Sequence, residues 1–268
     1  MSHLGLCVEI ALMKIATWNV NSINVRMPQM LEWIERESPD VICLQETKCV
    51  DDNFPLDPIV AAGYHAEFFG QKSYNGVAIL SKLPINDVQK GFADDDEESP
   101  KRLIAATIND VRIVNTYIPN GTELGTDKFT FKLDWLQKLR QFFDETCSLN
   151  SKVLLCGDFN VAMDEVDVWS VPAWQGKLHF TKTERAAMYY VKQWGFTDLF
   201  RKINGDVQEF SWWNYREGAW QRNRGLRIDY IWTSPTLTEM SKRCFIDRST
   251  RSLEKPSDHA PVIAEFDI

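Results

Sequence analysis

The sequence has no run of about 18 apolar residues, no CxxC pair and no Cys/His metal spacing. The first absence excludes a helix that crosses a membrane, so we expect no membrane partner. The apolar opening MSHLGLCVEIALM is interrupted by Glu9 and no basic residue precedes it, which makes it a poor signal peptide. The six cysteines are therefore expected to be reduced thiols, and the protein to be cytoplasmic.

No linker, repeat or low-complexity stretch divides the chain. Its 10 Trp, 15 Phe and 7 Tyr would leave much apolar surface in water if the chain were disordered. A chain of 268 residues is long enough to bury one large core. We predict a single domain over residues 14–268 and an N-terminal extension over residues 1–13. An alternative is that Met13 is the natural start and that the first twelve residues are an upstream extension.

The net charge of −8 argues, taken alone, against a nucleic-acid partner. The charge is uneven, however, because the segment 201–255 contains eleven Lys/Arg against seven Asp/Glu. Charges farther apart than about 8 Å are largely screened at physiological salt. The local sign therefore decides what a face of the protein can bind.

Short apolar runs rich in β-branched residues recur along the chain and predict strands. They are 14–20, 40–45, 75–81, 103–108, 111–118, 152–157, 228–233 and 262–266. Asn109-Asp110 predicts a tight hairpin turn between two of them. Helical periodicity appears over 28–37, 131–146 and 183–194. These interspersed elements indicate one α+β domain built on packed sheets.

Polar residues stand where these predicted strands begin or end. Any one of them is equally well explained as a turn residue. As a set they contain what metal-assisted phosphodiester hydrolysis requires, because carboxylates suit Mg²⁺, a His can stabilise the phosphoryl centre and amides can orient water. The set is Asn19, Glu46, Tyr117, Asp158, Asn160, Asp229, Asp258 and His259.

Basic and aromatic residues alternate between Phe210 and Asp229, a composition that suits contact with a nucleic-acid backbone. Arg216 and Arg224 are the basic residues that we select from this segment as DNA contacts. Adjacent strand residues face opposite ways, so we expect one of Trp212 and Trp213 to be in the core and the other to face the site.

The motifs TWNVNSI, LQETK, YIPNG, GDFN, NRGLRIDY and KPSDHAPV, in this order, resemble the exonuclease III family of abasic-site endonucleases. GDFN and SDH alone indicate only the endonuclease/exonuclease/phosphatase superfamily, whereas NRGLRIDY with KPSDHAPV is more specific. The resemblance implies a four-layer α/β sandwich, with two packed mixed sheets flanked by helices. It also implies a Mg²⁺-dependent nuclease that cuts double-stranded DNA 5′ to abasic sites and trims 3′ ends. Mn²⁺ is a possible substitute, a monomer is expected, and a bacterial protein would be associated with the nucleoid.

The resemblance also implies a metal site. Glu46 would be the principal Mg²⁺ ligand, with Asn19 and Asp258 nearby. Asn21 takes the next polar place, where some relatives carry Asp, and an amide there would weaken metal binding or remove a second-metal ligand.

By the same resemblance, Asp158 would activate or orient water with the help of Asn160. His259 would contact the scissile phosphate and be oriented by Asp229, and Tyr117 would hydrogen-bond the phosphate. Either Asp158 or a Tyr117 phenolate could drive the attack. We favour Asp158, because a phenol has an ordinary pKa of about 10 whereas an Asp is ionised at neutral pH.

The pocket for a flipped abasic sugar would be lined by Trp212, Leu226 and Ile228. Two rival functions remain at this point: a phosphatase acting on inositol phosphates or phospholipids with the same chemistry, and a non-catalytic DNA-binding module. The basic and aromatic segment favours the nuclease. Lys48 and Lys255 are interpreted as solvated surface residues.

Overall fold

Twelve β-strands and seven α-helices are interspersed along residues 12–268, the part of the chain that the computed structural model describes. The strands are β1 (Leu12–Asn19), β2 (Val41–Gln45), β3 (His65–Phe69), β4 (Val77–Ser81), β5 (Asn86–Lys90), β6 (Leu103–Ile108), β7 (Val111–Tyr117), β8 (Lys152–Asp158), β9 (Thr197–Asp198), β10 (Asp229–Thr233), β11 (Ser241–Ile246) and β12 (Val262–Asp267). The helices are α1 (Ile23–Glu37), α2 (Leu56–Ala61), α3 (Asp127–Thr146), α4 (Val171–Trp174), α5 (Lys182–Lys192), α6 (Leu199–Asn204) and α7 (Pro235–Glu239).

The strands form two mixed sheets of six, in the orders β11-β12-β1-β2-β4-β3 and β5-β6-β7-β8-β10-β9. The pairs β1–β2 and β7–β8 are parallel, whereas β12 runs antiparallel to β1 and β10 antiparallel to β8. In the first sheet, the carboxyl ends of β1 and β2 therefore lie beside the amino end of β12. In the second sheet, the carboxyl ends of β7 and β8 lie beside the amino end of β10. The predicted site residues stand at these ends.

Three apolar layers hold the sheets and helices together. One core lies between the two sheets and includes Ile15 of β1 and Ile113 of β7. The opposite face of β1 places Trp18 in a second core with α1, and a third core packs α3 and α5 on the other sheet. Because the central strands are buried on both faces, their sequences are nearly continuous apolar runs. The predicted four-layer sandwich is confirmed.

All eight predicted strands are present, and the four strands that the sequence did not predict are β3, β5, β9 and β11. These four are the edge strands of the two sheets. Strand β5 is almost entirely exposed, and a strand at an edge needs no continuous apolar run, since one flank and much of its surface meet water. The exposed position of these edge strands therefore explains why the sequence did not predict them.

Helix α1 begins at Ile23, five residues before the predicted start at Pro28. Buried Ile23 and Met27 continue the apolar face toward the amino end, and the backbone N–H of Ile23 donates to the carbonyl of Thr47. Pro28 lies inside the helix and is exposed. The prediction that proline marks the helix start was wrong, because the buried first turn outweighs the missing hydrogen bond.

The Asn109-Asp110 turn joins β6 to β7 as predicted, with φ values of 47° and 64°. Both residues are left-handed, the conformation that suits a two-residue hairpin. Residues 1–11, most of the predicted N-terminal extension 1–13, lie outside the described residues. Within β1, Met13 pairs with Phe266 of β12. Among residues 12–268, no helix combines the length and the apolar character needed to span a membrane.

Candidate active site

Five polar side chains meet where these strand ends of the two sheets face each other. We name them the catalytic cluster: Asn19, Glu46, Asp158, Asp229 and His259. Asn19 ends β1, Asp158 ends β8 and Asp229 begins β10, opposite Asp158 in the antiparallel ladder. Four of the five are almost fully buried, and only Glu46 is partly exposed. Metal-ligating atoms of Glu46, Asp158 and His259 lie within 4.8 Å of one another.

The amide of Asn19 ties the two sheets together at this point. Its Nδ2 donates to Glu46 Oε1 at 2.8 Å and to Asp158 Oδ2 at 2.9 Å. Its Oδ1 accepts from the backbone N–H of Asn21 at 3.0 Å. Asn19 therefore faces the carboxylates as a donor, and it orients both of them.

The imidazole of His259 is held by Asp229. Nδ1 donates to Asp229 Oδ2 at 2.9 Å, and Nε2 lies 3.7 Å from Asp158 Oδ2. Burial opposes a charged ring, but the carboxylates of Asp229 and Asp158 raise the pKa of His259 to about 10. The ring is therefore a cation at neutral pH, with a second N–H available for an anionic oxygen.

Asp158 is held by the turn that follows it. The backbone N–H of Asn160 donates to Asp158 Oδ1 at 2.9 Å, and the Asn160 side chain donates to Oδ2 at 3.3 Å. Burial raises the pKa of Asp158 to about 7, although the cation of His259 opposes the shift. Burial thus moves the pKa of Asp158 toward neutrality, where a general base works best.

Tyr117 ends β7 beside the catalytic cluster. Burial and the nearby carboxylates of Glu46 and Asp158 raise the pKa of its phenol well above the ordinary value. The guanidinium of Arg102 lies 4.6 Å from the ring centre and donates to the Tyr117 carbonyl at 3.1 Å. At neutral pH the phenol keeps its proton, so it is a hydrogen-bond donor.

Asp258 lies one residue before His259, and both of its carboxylate oxygens already have partners. Asn21 Nδ2 donates to Oδ1 at 2.8 Å, and Trp212 Nε1 donates to Oδ2 at 3.0 Å. Burial would raise the pKa of Asp258, but His259 and these two donors lower it below its ordinary range. Asp258 is therefore a carboxylate that retains free lone pairs beside two fixed donors.

Lys48 was interpreted as a surface residue, and the structure places it in the site instead. Its Nζ lies 2.7 Å from Glu46 Oε2 and donates to Asn21 Oδ1 at 2.5 Å. Glu46 and Lys48 both have left-handed backbone conformations, with φ values of 53° and 55°. The tight turn after β2 returns Lys48 to the carboxylate two residues earlier, and spacing within LQETK was the signal for it. Lys255 is exposed, as predicted.

Trp212 and Trp213 face opposite ways, as predicted. Trp213 is fully buried, and Trp212 is partly exposed. Leu226 and Ile228 are themselves buried, with 0% and 2% of their surface exposed, in a small cluster against which Trp212 packs. Of the three residues predicted to line the sugar pocket, Trp212 is the one that also lines an open cavity.

That cavity of about 350 Å³ also contains both predicted DNA-contacting arginines, and we name it the aromatic cavity: Trp169, Trp174, Trp212, Arg216 and Arg224. Arg216 and Arg224 are exposed. The guanidinium of Arg224 lies 5.0 Å from the Trp169 ring centre. Trp212 joins the cavity to the site through its bond to Asp258. Trp212 also lies next to the catalytic cluster, with its ring centre 6.5 Å from that of His259.

Comparison with known proteins agrees with this geometry. Residues 16–259 match the sequence model of the endonuclease/exonuclease/phosphatase family. The chain is 35% identical over 266 residues to exodeoxyribonuclease III of Haemophilus influenzae, covering 95% of this chain and 100% of that protein.

Solved structures show the same likeness. An AP endonuclease from Archaeoglobus fulgidus is similar at 38% identity with a TM-score of 0.91, covering 96% of this chain and 100% of that one. A 3′ phosphatase from Neisseria, bound to a product DNA hairpin, is similar at 40% identity with a TM-score of 0.92 and the same coverage.

Proposed function

The chain belongs to the endonuclease/exonuclease/phosphatase family and is a DNA-repair nuclease, and we propose that it hydrolyses the phosphodiester bond 5′ to abasic sites in double-stranded DNA. We propose that the same site trims 3′ ends and acts as a 3′→5′ exonuclease. The observation that carries the proposal is the convergence of Glu46, Asp158 and His259 within 4.8 Å beside a cavity of aromatic and basic side chains.

The donor set fits a hard divalent cation. His259 Nδ1 is bonded to Asp229 and its Nε2 faces Asp158, so the ligands that we propose for the ion are oxygen atoms. Oxygen ligands suit Mg²⁺, and Mn²⁺ can replace it. We propose that Glu46 holds the ion, with Asn19 orienting Glu46 and Asp258 completing the site. When bound, the ion supplies positive charge that stabilises the transition state of phosphate hydrolysis.

The nucleophile is water, positioned by Asp158 and Asn160. Asp158 takes a proton from the water while the water oxygen bonds to phosphorus, and the bond from phosphorus to the leaving oxygen breaks. The leaving oxygen takes a proton from solvent water, and Asp158 releases the proton that it accepted back to solvent. Asp158 suits this role better than Tyr117, since the raised pKa of the phenol opposes formation of a phenolate.

His259 and Tyr117 stabilise the phosphate. Because Nδ1 of His259 is bonded to Asp229, the other ring nitrogen, Nε2, faces Asp158 and can donate its N–H to a phosphate oxygen. Tyr117 offers a neutral O–H to the same phosphate. Charged donors that are already fixed in place stabilise the developing negative charge without reorganisation.

Recognition takes place in the aromatic cavity. An abasic site has no base to unstack, so its extrusion requires less than the few kcal/mol that a normal nucleotide requires. We propose that Trp212, supported by Leu226 and Ile228, receives the bare sugar. Arg216 and Arg224 contact the phosphates on either side.

We also propose that the protein acts as a monomer in the cytoplasm, associated with the nucleoid if the organism is bacterial. For the location in the cytoplasm the support is chemical: within residues 12–268 the cysteines Cys43, Cys49, Cys147, Cys156 and Cys244 are all free. Free thiols persist where the compartment is reducing.

The deciding experiment is a gel assay with three duplexes, containing a tetrahydrofuran abasic analogue, no lesion, or a 3′-phosphate end. We expect incision 5′ to the analogue, loss of activity in EDTA and recovery with Mg²⁺. An inositol phosphate serves as the rival substrate. Equal turnover of the inositol phosphate would contradict the nuclease assignment, and DNA binding without metal-dependent cleavage would favour a non-catalytic module.

A further inference from the structure

Lys132 is a completely buried cation that the reaction described above does not use. It lies on the inner face of α3 and has no solvent-exposed surface. Its ammonium group has three acceptors: Glu184 Oε1 at 2.6 Å, the carbonyl of Asn160 at 2.8 Å and the carbonyl of Asn120 at 3.2 Å. An ammonium has three protons, so each proton has one partner.

The two carbonyls belong to loops of the active site. Asn160 follows Asp158 and donates to it twice, and Asn120 follows β7 beside Tyr117. The side chains of the two asparagines are bonded as well, since Asn120 Nδ2 donates to Asn160 Oδ1 at 3.1 Å. Lys132 therefore holds the backbone of both loops at the point where their amides meet.

Asn160 needs such a restraint, because its φ of 52° is left-handed. Few non-glycine residues adopt this conformation, and those that do are held by surrounding contacts. The Asn160 carbonyl accepts a second bond from His179 Nδ1 at 2.7 Å. Two donors thus fix the carbonyl of the residue whose own N–H and side chain orient Asp158.

Glu184 anchors the cation from the other side. Both of its carboxylate oxygens are bonded, Oε1 to Lys132 and the N–H of His179, and Oε2 to the N–H and hydroxyl of Thr181. These bonds cap the start of α5. The pair therefore links α3, α5 and the two loops behind Asp158 in one connected set.

We infer that Lys132 and Glu184 are positioning residues for hydrolysis: they hold Asn120 and Asn160, and through them the carboxylate of Asp158, in the geometry that activates water. The inference rests on the proposed function. A purely structural role is the alternative, but buried ion pairs add little stability over apolar residues of similar volume. What an apolar pair cannot supply here is a donor for the two loop carbonyls.

The test uses the double variant Lys132→Met/Glu184→Gln, which removes both charges, keeps similar volumes and retains an amide at the α5 cap. The matched control is Arg140→Met. Arg140 also joins α3 to α5, by donating to the Tyr190 carbonyl at 3.0 Å, but it is remote from the two loops. A second variant, Lys132→Arg, keeps a buried cation with several donors. Melting temperature, kcat and KM are measured for each on the abasic duplex.

We expect the double variant to fold, with kcat lower by about 10- to 100-fold and KM within a few-fold of wild type, as misplaced catalytic groups behave. Lys132→Arg should recover part of kcat, and Arg140→Met should leave kcat unchanged. A folded double variant with wild-type kcat would overturn the inference, as would a loss of kcat that only follows the unfolded fraction.

Backbone-amide NMR separates this inference from the proposed function, since it needs no DNA. The signals of Asn120 and Asn160 should shift or broaden in the double variant and stay in place in Arg140→Met. Unchanged signals in the double variant would refute the positioning role even if the protein cuts abasic DNA. Shifted signals in a protein that cleaves no DNA would instead refute only the proposed function.

Discussion

In the catalytic cluster the polar side chains are bonded to one another and nearly all buried, whereas in the aromatic cavity both arginines are exposed. The cluster fixes charges and donors before substrate arrives, which is what lowers a barrier to hydrolysis. The cavity presents cations on flexible stems, which suits attraction to a phosphate backbone. Substitutions in the first region should change the rate, and those in the second should change recognition and salt dependence.

The largest expected effect follows from Glu46→Gln, which keeps the shape of the side chain and removes its charge. We expect kcat/KM to fall by about three orders of magnitude, since metal stabilisation of the transition state supplies several kcal/mol. Melting temperature should change little, and high Mg²⁺ should restore part of the activity. Exposed Glu239, far along the chain on α7, provides the control Glu239→Gln. Unchanged activity of Glu46→Gln at limiting Mg²⁺ would exclude Glu46 as the ligand.

The second effect concerns the buried support of the aromatic cavity. Arg227 lies between Leu226 and Ile228, and it donates to Asp167 Oδ1 at 2.8 Å and to Asp198 Oδ2 at 2.8 Å. Arg227→Met leaves two buried carboxylates without this cation, which should lower the free energy of unfolding by about 3–5 kcal/mol. Urea unfolding at neutral pH measures the change.

The same substitution has a pH dependence of known sign. Burial would raise the pKa of Asp167, but Arg227 and Arg201 lower it below its ordinary value. A carboxyl with a lower pKa in the folded state stabilises above its unfolded pKa of about 3.9 and loses that contribution as pH falls through the folded value. The difference in the free energy of unfolding between wild type and Arg227→Met should therefore become smaller below about pH 4. A constant difference down to about pH 3 would show that the Asp167 charge does not contribute.

Trp212→Ala tests whether the two regions are separable. If Trp212 recognises the sugar, incision at abasic sites should fall by about 10- to 200-fold, the range for contacts in a fitted pocket. Discrimination against normal nucleotides should weaken, and Mg²⁺ affinity should persist because Glu46 is unchanged and Asp258 keeps its bond from Asn21. Trp212→Phe is the companion variant, because it keeps a smaller aromatic ring and removes the bond to Asp258.

A core role for Trp212 predicts a different outcome. The cavity left by the substitution would then destabilise the protein by about 3–5 kcal/mol, and all activities would fall together. Melting temperature and incision of abasic and intact duplexes, measured on one preparation, distinguish the two. A stable variant with undiminished selectivity would contradict the pocket assignment.

The smallest effects belong to the exposed arginines. Activity should fall steeply with salt, and each of Arg216→Ala and Arg224→Ala should reduce the slope of log K against log salt by about 0.9 if it removes one phosphate contact. Arg243→Ala, on edge strand β11 and also exposed, is the control. Slopes that match the control would assign both arginines to solvated surface.

Local pattern was sufficient for the central strands but not for the edges. Strands such as β1 and β8 are buried on both faces, so their apolar runs are visible in the sequence. Strand β5 is polar and exposed, because hydrogen bonds to a single neighbour, rather than burial, make it a strand. Such pairing depends on residues distant in the chain.

The residues of the candidate site also fall into those that the local sequence predicts and those that only distant contacts bring into place. Glu46, Asp158 and His259 were predicted because each stands in a motif at a strand end, and strand ends gather at one edge. Lys48 was not, although it stands in the LQETK motif with Glu46, and Lys132 was not because a lone Lys carries no pattern of its own. A turn brings Lys48 to Glu46, and helix packing brings Lys132 to its carbonyls.

Local order and periodicity were enough to predict the family, the α+β class, the central strands and the residue types for metal-assisted hydrolysis. The contacts between these groups, and the charges that result, depend on the folded arrangement of the chain. Burial raises the pKa of Asp158 to about 7. The neighbouring carboxylates of Asp229 and Asp158 raise the pKa of His259 to about 10, although burial opposes this shift. Such values arise from neighbours 30 to 140 positions apart in the chain, like Asp229 beside His259 and Asn19 beside Asp158.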